Sequence, residues 1–327
     1  MLVIVAPGQG AQTPGFLTPW LEIPGLADRL SAWSEIVGLD LIAYGTTADA
    51  DEIRDTAVAQ PLLVAAGLVA AEALGVLPGS GAAGPGTASG AAGPGGPGMV
   101  AGHSVGELTA AVLAGVLSAE QALTLVRERG RAMAEAAAIT ETGMVAVLGG
   151  IEEDVLAAID KQGLTPANIN GAGQVVAGGT LERLEAFKAE PPARARLIPL
   201  SVAGAFHTAH MAPAVDRMRE AAASLPPRDP SVALLSNADG AVITSGTAFM
   251  GRLVDQVANP VRWDACMATM AERGATAMIE LLPGGTLTGL AKRALRGVTA
   301  VALKTPDDLD SARELLERSG SGTTGEG

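Results

Sequence analysis

One cysteine, Cys266, stands in 327 residues, so no internal disulfide can form and no cysteine-based zinc site can be assembled. Three histidines leave little material for a histidine-rich metal centre. Aromatic residues supply only 2% of the chain, although 48% of it is hydrophobic. Much of that apolar content is alanine, so the core must rest on close backbone approach and aliphatic layers. Basic residues are scarce as well: 22 Lys+Arg against 35 Asp+Glu leaves a net charge of −13. That balance argues against nucleic acid as a partner, which calls for a concentrated basic face, and against an anionic membrane surface. No basic region precedes the apolar run at the N-terminus, as a secretion signal would require. The longest apolar stretches, around 61–71 and 110–117, fall short of the ~20 residues of a spanning helix. A phosphate-binding G-x-x-x-x-G-K-S/T segment is missing. The expectation is a cytoplasmic α/β chain with one large domain and room for a smaller insert.

The first element, Leu2–Ala6, is a short branched apolar run that ends at Pro7-Gly8, the pattern of a buried parallel strand feeding a loop. A helix rich in Ala, Leu and Val is expected over 61–77. Residues 78–98 then hold nine glycines and four prolines in 21 positions, which predicts a mobile loop. Order resumes with a strand at 99–101 and a helix-like stretch at 105–117. Strands at 144–148, 165–170, 174–177 and 196–200 alternate with helices at 152–162 and 181–189. This β-α-β-β-α-β order is the ferredoxin-like unit. It predicts a small subdomain over 143–202, inserted into a large domain made of 1–142 and 203–318. Strands near 232–235, 278–281 and 298–302 complete a mostly parallel sheet. Residues 319–327 are expected to be a disordered tail.

Gly102-His103-Ser104-Val105-Gly106 is a G-x-S-x-G segment between a strand and a helix, the context of a nucleophile elbow. Its glycines allow a sharp turn that projects Ser104 Oγ, and the helix start aims the Val105 N–H at a developing oxyanion. A serine needs a base. His103 adjoins it but diverges on a tight turn, while His207 and His210 follow a later strand. Loop position favours His207. No Asp or Glu stands out as a third member, which leaves a backbone carbonyl or an amide to hold the imidazole. Ser118-Ala119-Glu120-Gln121 opens a helix with a capping box. On it Ala122, Leu125, Val126, Arg129 and Met133 share one face, whereas Arg127 and Arg131 point elsewhere. An arginine in an apolar stripe must meet an anion. That anion is either an internal carboxylate or the carboxylate of a substrate.

Gly8-Gln9-Gly10-Ala11-Gln12, G-H-S-V-G-E at 102–107, R-E-R-G at 127–130, G-Q-V-V-A-G at 173–178, A-F-H at 205–207 and N-P-V-R-W at 259–263 occur in this order. Together they resemble the malonyl-CoA:acyl carrier protein transacylase family over nearly the whole chain. The resemblance implies an α/β-hydrolase-like domain with a ferredoxin-like insert. It also implies malonyl transfer from coenzyme A to the phosphopantetheine thiol of acyl carrier protein, with no metal or redox cofactor. Residue by residue it makes Ser104 the nucleophile, His207 the general base and Arg129 the partner of malonate's free carboxylate. The N–H groups of Gln9 and Val105 match the oxyanion hole. Gln256 matches the position whose main-chain carbonyl steadies the histidine. Asn170, His103 and Met133 are carried over as pocket residues, and Phe206 as the bulk that crowds an α-methyl branch. The alternatives are a serine thioesterase or hydrolase with the same Ser-His pair, a methylmalonyl-type acyltransferase, and a non-catalytic carrier-docking protein. An acidic carrier would need a local basic patch, for which Lys292, Arg293 and Arg296, with Arg194 and Arg196, are candidates.

Overall fold

The computed structural model describes residues 1–79 and 96–321, with the side chains of the last two left aside. The loop expected over 78–98 lies mostly outside the described residues. Among these residues the strands are β1 (Leu2–Ala6), β2 (Met99–Gly102), β3 (Thr142–Gly149), β4 (Thr165–Gly171), β5 (Gln174–Thr180) and β6 (Ala195–Pro199). They continue with β7 (Ala233–Leu235), β8 (Val242–Ile243), β9 (Val261–Arg262), β10 (Ala277–Glu280) and β11 (Thr299–Ala302). The larger sheet runs β11-β10-β1-β2-β7-β8, parallel except where β8 turns back along β7. Its inner strands are continuous apolar runs because both faces are covered. The register pairs Ala6 with Gly102, so the loops after β1 and β2 leave the same sheet edge side by side. Loops at the carboxyl ends of parallel strands are where α/β folds collect their ligands.

The smaller sheet has the antiparallel order β6-β3-β5-β4 with helices Glu152–Lys161 and Leu181–Ala189, the ferredoxin-like arrangement. It departs from expectation at one edge: β9, from far along the chain, adds a fifth strand parallel to β4. Through Asn168↔Val261 and Ile169↔Arg262 this sheet is joined to the segment that leads into Trp263.

Three further elements change their bounds. The helix expected over 61–77 is Thr56–Leu74, because Asp55 caps it by accepting the Ala57 N–H at 2.8 Å, and Pro61 is tolerated inside. At 19 residues it is long and apolar enough to cross a membrane, which corrects the shorter expectation; here 83% of its most apolar window is buried. The expected tail starts too early as well, since the helix Leu309–Ser321 continues through 319–321. Residues 322–327 lie outside the described ones. The stretch at 105–117 is helical only over Gly106–Leu113. The helix Ala119–Ala137 has both capping-box bonds in place and buries its Leu125, Val126, Arg129 and Met133 face.

Glu280, fully buried at the end of β10, accepts the N–H groups of Gly285, Leu287 and Thr288 at 2.8–2.9 Å. A carboxylate there satisfies the unpaired donors of the helix Thr286–Ala294 and complements its dipole. The strand thereby fixes a helix whose first turns line the cleft described next.

Candidate active site

Ser104 sits on the turn between β2 and the helix Gly106–Leu113 with φ of +53°, a left-handed conformation that a side-chain-bearing residue adopts only under constraint. The flanking glycines make the turn feasible. A Cβ on Gly102 would lie 2.0 Å from the Gly106 backbone, and one on Gly106 would lie 2.3 Å from the Ala6 carbonyl oxygen. Asn237 then clamps the turn from both sides. Its Oδ1 accepts the Ser104 N–H at 2.7 Å and its Nδ2 donates to the Gly102 carbonyl at 2.8 Å.

His207 approaches from the loop after β6, also with a positive φ, +60°. Its Nε2 stands 2.7 Å from Ser104 Oγ and its Nδ1 stands 2.8 Å from the Gln256 carbonyl oxygen. A carbonyl can only accept, so Nδ1 carries the proton and the bare Nε2 faces the serine hydroxyl. Burial, reinforced by the charge of Arg129, pushes the imidazole pKa down to about 3. The base is thus held neutral. His103, by contrast, is turned to other work: its Nε2 is 2.9 Å from Asn170 Oδ1 and its ring leans on Trp263 at 5.6 Å. His210 lies beyond, in the short turn Ala209–Met211.

Arg129 is fully buried. Its Nη1 donates to Gln60 Oε1 at 2.6 Å, and its Nη2 donates to Gln256 Oε1 at 2.9 Å and reaches Ser104 Oγ at 3.4 Å. The Nε has no partner, and among the described residues no carboxylate is close enough to pair with the guanidinium. Burial lowers its pKa to about 10, with the Glu107 charge as the opposing pull. Even so it is a cation at neutral pH. Of the two anions open from the sequence, the internal one, Glu107, meets Arg129 only through the Gln256 amide and forms no direct ion pair with it.

A small cavity of about 70 Å³ joins these groups, lined by Gln9, Ser104, Val105, Arg129, Met133 and Phe206 among others. It adjoins an outer cleft of about 470 Å³, whose walls include Gln12, Asn170, Gln174 and the helix residues Thr286, Leu287 and Leu290. His103 and Asn168 border both. Val105 is the N-cap of its helix, where backbone N–H groups lack intrahelical acceptors. Lys292, Arg293, Arg296, Arg194 and Arg196 are exposed, and none of them enters an ion pair among the described residues. No group of three or more metal-ligating side chains occurs among the described residues.

Three residues of the site escaped the sequence. Gln60 holds the guanidinium, Asn237 clamps the elbow, and Glu107 accepts the Asn237 N–H at 2.6 Å and the Gln256 side-chain NH₂. Gln60 was detectable on the argument used for Arg129, as an isolated polar residue in a buried apolar helix. Glu107 is the last letter of the G-H-S-V-G-E segment, and its place just inside an apolar helix marks it in the same way. Asn237 follows a three-residue strand and carries no periodic signal.

Residues 4–306 match the acyl transferase domain family. The malonyl CoA-acyl carrier protein transacylase of Mycobacterium tuberculosis is 50% identical over 315 residues, covering 96% of this chain and all of the relative. The Escherichia coli K12 transacylase is 35% identical, covering 95% and 98% of the two chains. The crystal structure of the Mycobacterium tuberculosis protein superposes with a TM-score of 0.88, covering 96% and 99%. A type II polyketide synthase acyl carrier protein in complex with its malonyl-transacylase offers a further match, with a TM-score of 0.84 at 32% identity and the same coverage.

The low His207 pKa sets how Ser104 responds to acid. A depressed imidazole pKa keeps the neutral, proton-accepting form populated as pH falls, so base function is lost only when pH drops through the low value. Labelling of Ser104 by a fluorophosphonate probe is therefore expected to hold its rate from pH 8 down to about 5. A rate that halves near 6.5, the ordinary imidazole value, would contradict this.

Proposed function

The chain belongs to the malonyl-CoA:acyl carrier protein transacylase family, and we propose that it moves malonyl groups from coenzyme A to acyl carrier protein through a malonyl-serine. One observation carries the choice of acyl group: a buried guanidinium reaches Ser104 Oγ and, among the described residues, makes no direct ion pair with a carboxylate. An acyl group bound to that oxygen and ending in a carboxylate completes the set.

In the first half-reaction Ser104 Oγ attacks the thioester carbonyl while His207 Nε2 takes its proton. The carbonyl oxygen, now negative, is stabilised by the N–H groups of Gln9 and Val105, each such donor worth about 3–4 kcal/mol in acyl transfer. Collapse breaks the carbon–sulfur bond, and the coenzyme A thiolate leaves with the proton from His207. In the second half-reaction the pantetheine thiol of the carrier gives its proton to His207 and attacks the serine ester. Ser104 recovers a proton and the malonyl thioester departs on the carrier, as an extender unit for fatty-acid or polyketide synthesis. Gln256 serves twice, its main-chain carbonyl orienting the base and its side-chain carbonyl orienting Arg129. His103 and Asn170 brace each other at the cavity mouth. Phe206 and Met133 line the small cavity, and on this reading the bulk of Phe206 crowds an α-methyl branch and disfavours methylmalonyl groups. Every step runs on serine, imidazole and backbone N–H groups, so the scheme needs no metal or redox cofactor. We infer a cytoplasmic location from the coenzyme A thioester and carrier protein that the scheme uses, which cell fractionation checks.

Arg129→Ala is expected to lower malonyl loading by about a hundredfold more than acetyl loading, since a hydrogen-bonded charge pair is worth roughly 3 kcal/mol. Equal losses for the two acyl groups would remove Arg129 from selection. Lys292 and Arg293 lie in the last turn of the helix Thr286–Ala294, whose first turns line the outer cleft, and, without an ion pair among the described residues, they suit an acidic carrier. Charge reversal at Lys292 and Arg293 should raise KM for the carrier and leave KM for malonyl-CoA unchanged; an unchanged carrier KM would reject docking there.

A further inference from the structure

We propose that Glu107 is a positioning residue for malonyl selection: it sets which way the Gln256 side-chain amide faces, and through that amide it places Arg129. The inference rests on the malonyl-transfer function argued above. Gln256 is 3% exposed, and its amide lies between two unlike surroundings. On its Nε2 side are acceptors only: Glu107 Oε2 in close contact, Asn237 Oδ1 at 3.3 Å and the Ser104 carbonyl at 3.4 Å. On its Oε1 side is the Arg129 Nη2 donor at 2.9 Å. A flipped amide would set NH₂ against guanidinium and carbonyl against carboxylate, so the surroundings fix the orientation.

Glu107 is the only ionisable member of that acceptor set, and it is 2% exposed. Its other oxygen accepts the Asn237 N–H at 2.6 Å, which ties it to the clamp around Ser104. What the carboxylate supplies is polarity rather than shape. A glutamine of the same size would still accept from Asn237, but its NH₂ would meet the Gln256 NH₂ and favour the flipped amide. Arg129 would then lose its 2.9 Å acceptor and its fixed place beside Ser104. His207 would be spared the direct effect, because it is held by the Gln256 main-chain carbonyl and not by the side chain. Burial pushes the Glu107 carboxyl up to about 8 even against the opposing pull of the Asn237 N–H, the Arg129 charge and the Gln256 NH₂, so the carboxylate form is the majority only above that pH. Glu107 therefore acts on the choice of acyl group through Arg129, not on the bond-making step.

The test is a double-mutant cycle of Glu107→Gln and Gln256→Leu, run at about pH 8.5, where the carboxylate is charged. The readout is kcat/KM for malonyl and for acetyl loading of Ser104, followed by intact mass. Glu107→Gln is expected to lose at least tenfold more malonyl than acetyl loading, mostly through KM, and Gln256→Leu to do the same. With Gln256 already replaced, Glu107→Gln should add no further loss of selectivity. Equal losses for the two acyl groups, or selectivity losses that multiply in the double variant, would overturn the proposal. Should Glu107→Gln not fold, Gln256→Leu alone decides, and an unchanged malonyl-to-acetyl ratio overturns it. The wild type run in parallel separates the two levels of argument. If it takes up no malonyl group, the transfer function itself falls; if it does and the variants are unselective, only the role of Glu107 falls.

Discussion

Arg129 is a buried cation whose nearest side-chain acceptors, Gln60 and Gln256, are neutral amides, with Ser104 Oγ farther away at 3.4 Å. Taking a guanidinium out of water without a carboxylate partner costs several kcal/mol, and the rest of the site is arranged around bearing that cost. The amides satisfy part of the donor fork and leave Nε open. Burial does most to lower the His207 pKa, and the same positive charge adds to it. It also creates the demand that a substrate carboxylate meets. On the proposed function, selection of the acyl group and readiness of the imidazole both draw on this charge.

The reacting oxygen is placed by a second constraint, which is steric. Ala6 and Gly102 end neighbouring parallel strands in register, and Gly106 must pass within van der Waals reach of the Ala6 carbonyl. Only glycine fits at either side of Ser104. The strained turn that results is held by Asn237, a residue with no freedom to do otherwise once Gly102 and Ser104 present their backbone groups to it. From the other side the small sheet, extended by β9, brings Asn168 and Asn170 to the cavity mouth. Residues from distant parts of the chain therefore meet at one carboxyl edge of the large sheet.

Much of this could be read from the sequence because it is written in local patterns. The β-α-β-β-α-β order shows as alternating periodicity, the elbow as two glycines around a serine, and Arg129 as a charge on an apolar stripe. Elimination left a carbonyl or an amide as the His207 partner, the family resemblance implied the Gln256 main-chain carbonyl, and the geometry has that carbonyl at 2.8 Å. What escaped lacks a local pattern. β9 is two residues long and pairs with a strand that precedes it by about ninety positions. Gln60 and Glu107 bond to partners 69 and 149 residues away, and Asn237 follows a strand too short to mark its position. The helix start at Thr56 was hidden by Pro61, which ordinarily argues for a boundary, whereas the Asp55 cap decides.

The central claim is a covalent malonyl-serine on Ser104, discharged by a carrier thiol rather than by water. Intact-protein mass spectrometry after brief exposure to malonyl-CoA, in wild type and in Ser104→Ala, measures it directly. The account predicts a malonyl mass gain in wild type alone, stable in buffer and lost on adding acyl carrier protein, which gains the same mass. An adduct that water removes as fast as the carrier does, or one that persists in Ser104→Ala, would contradict it.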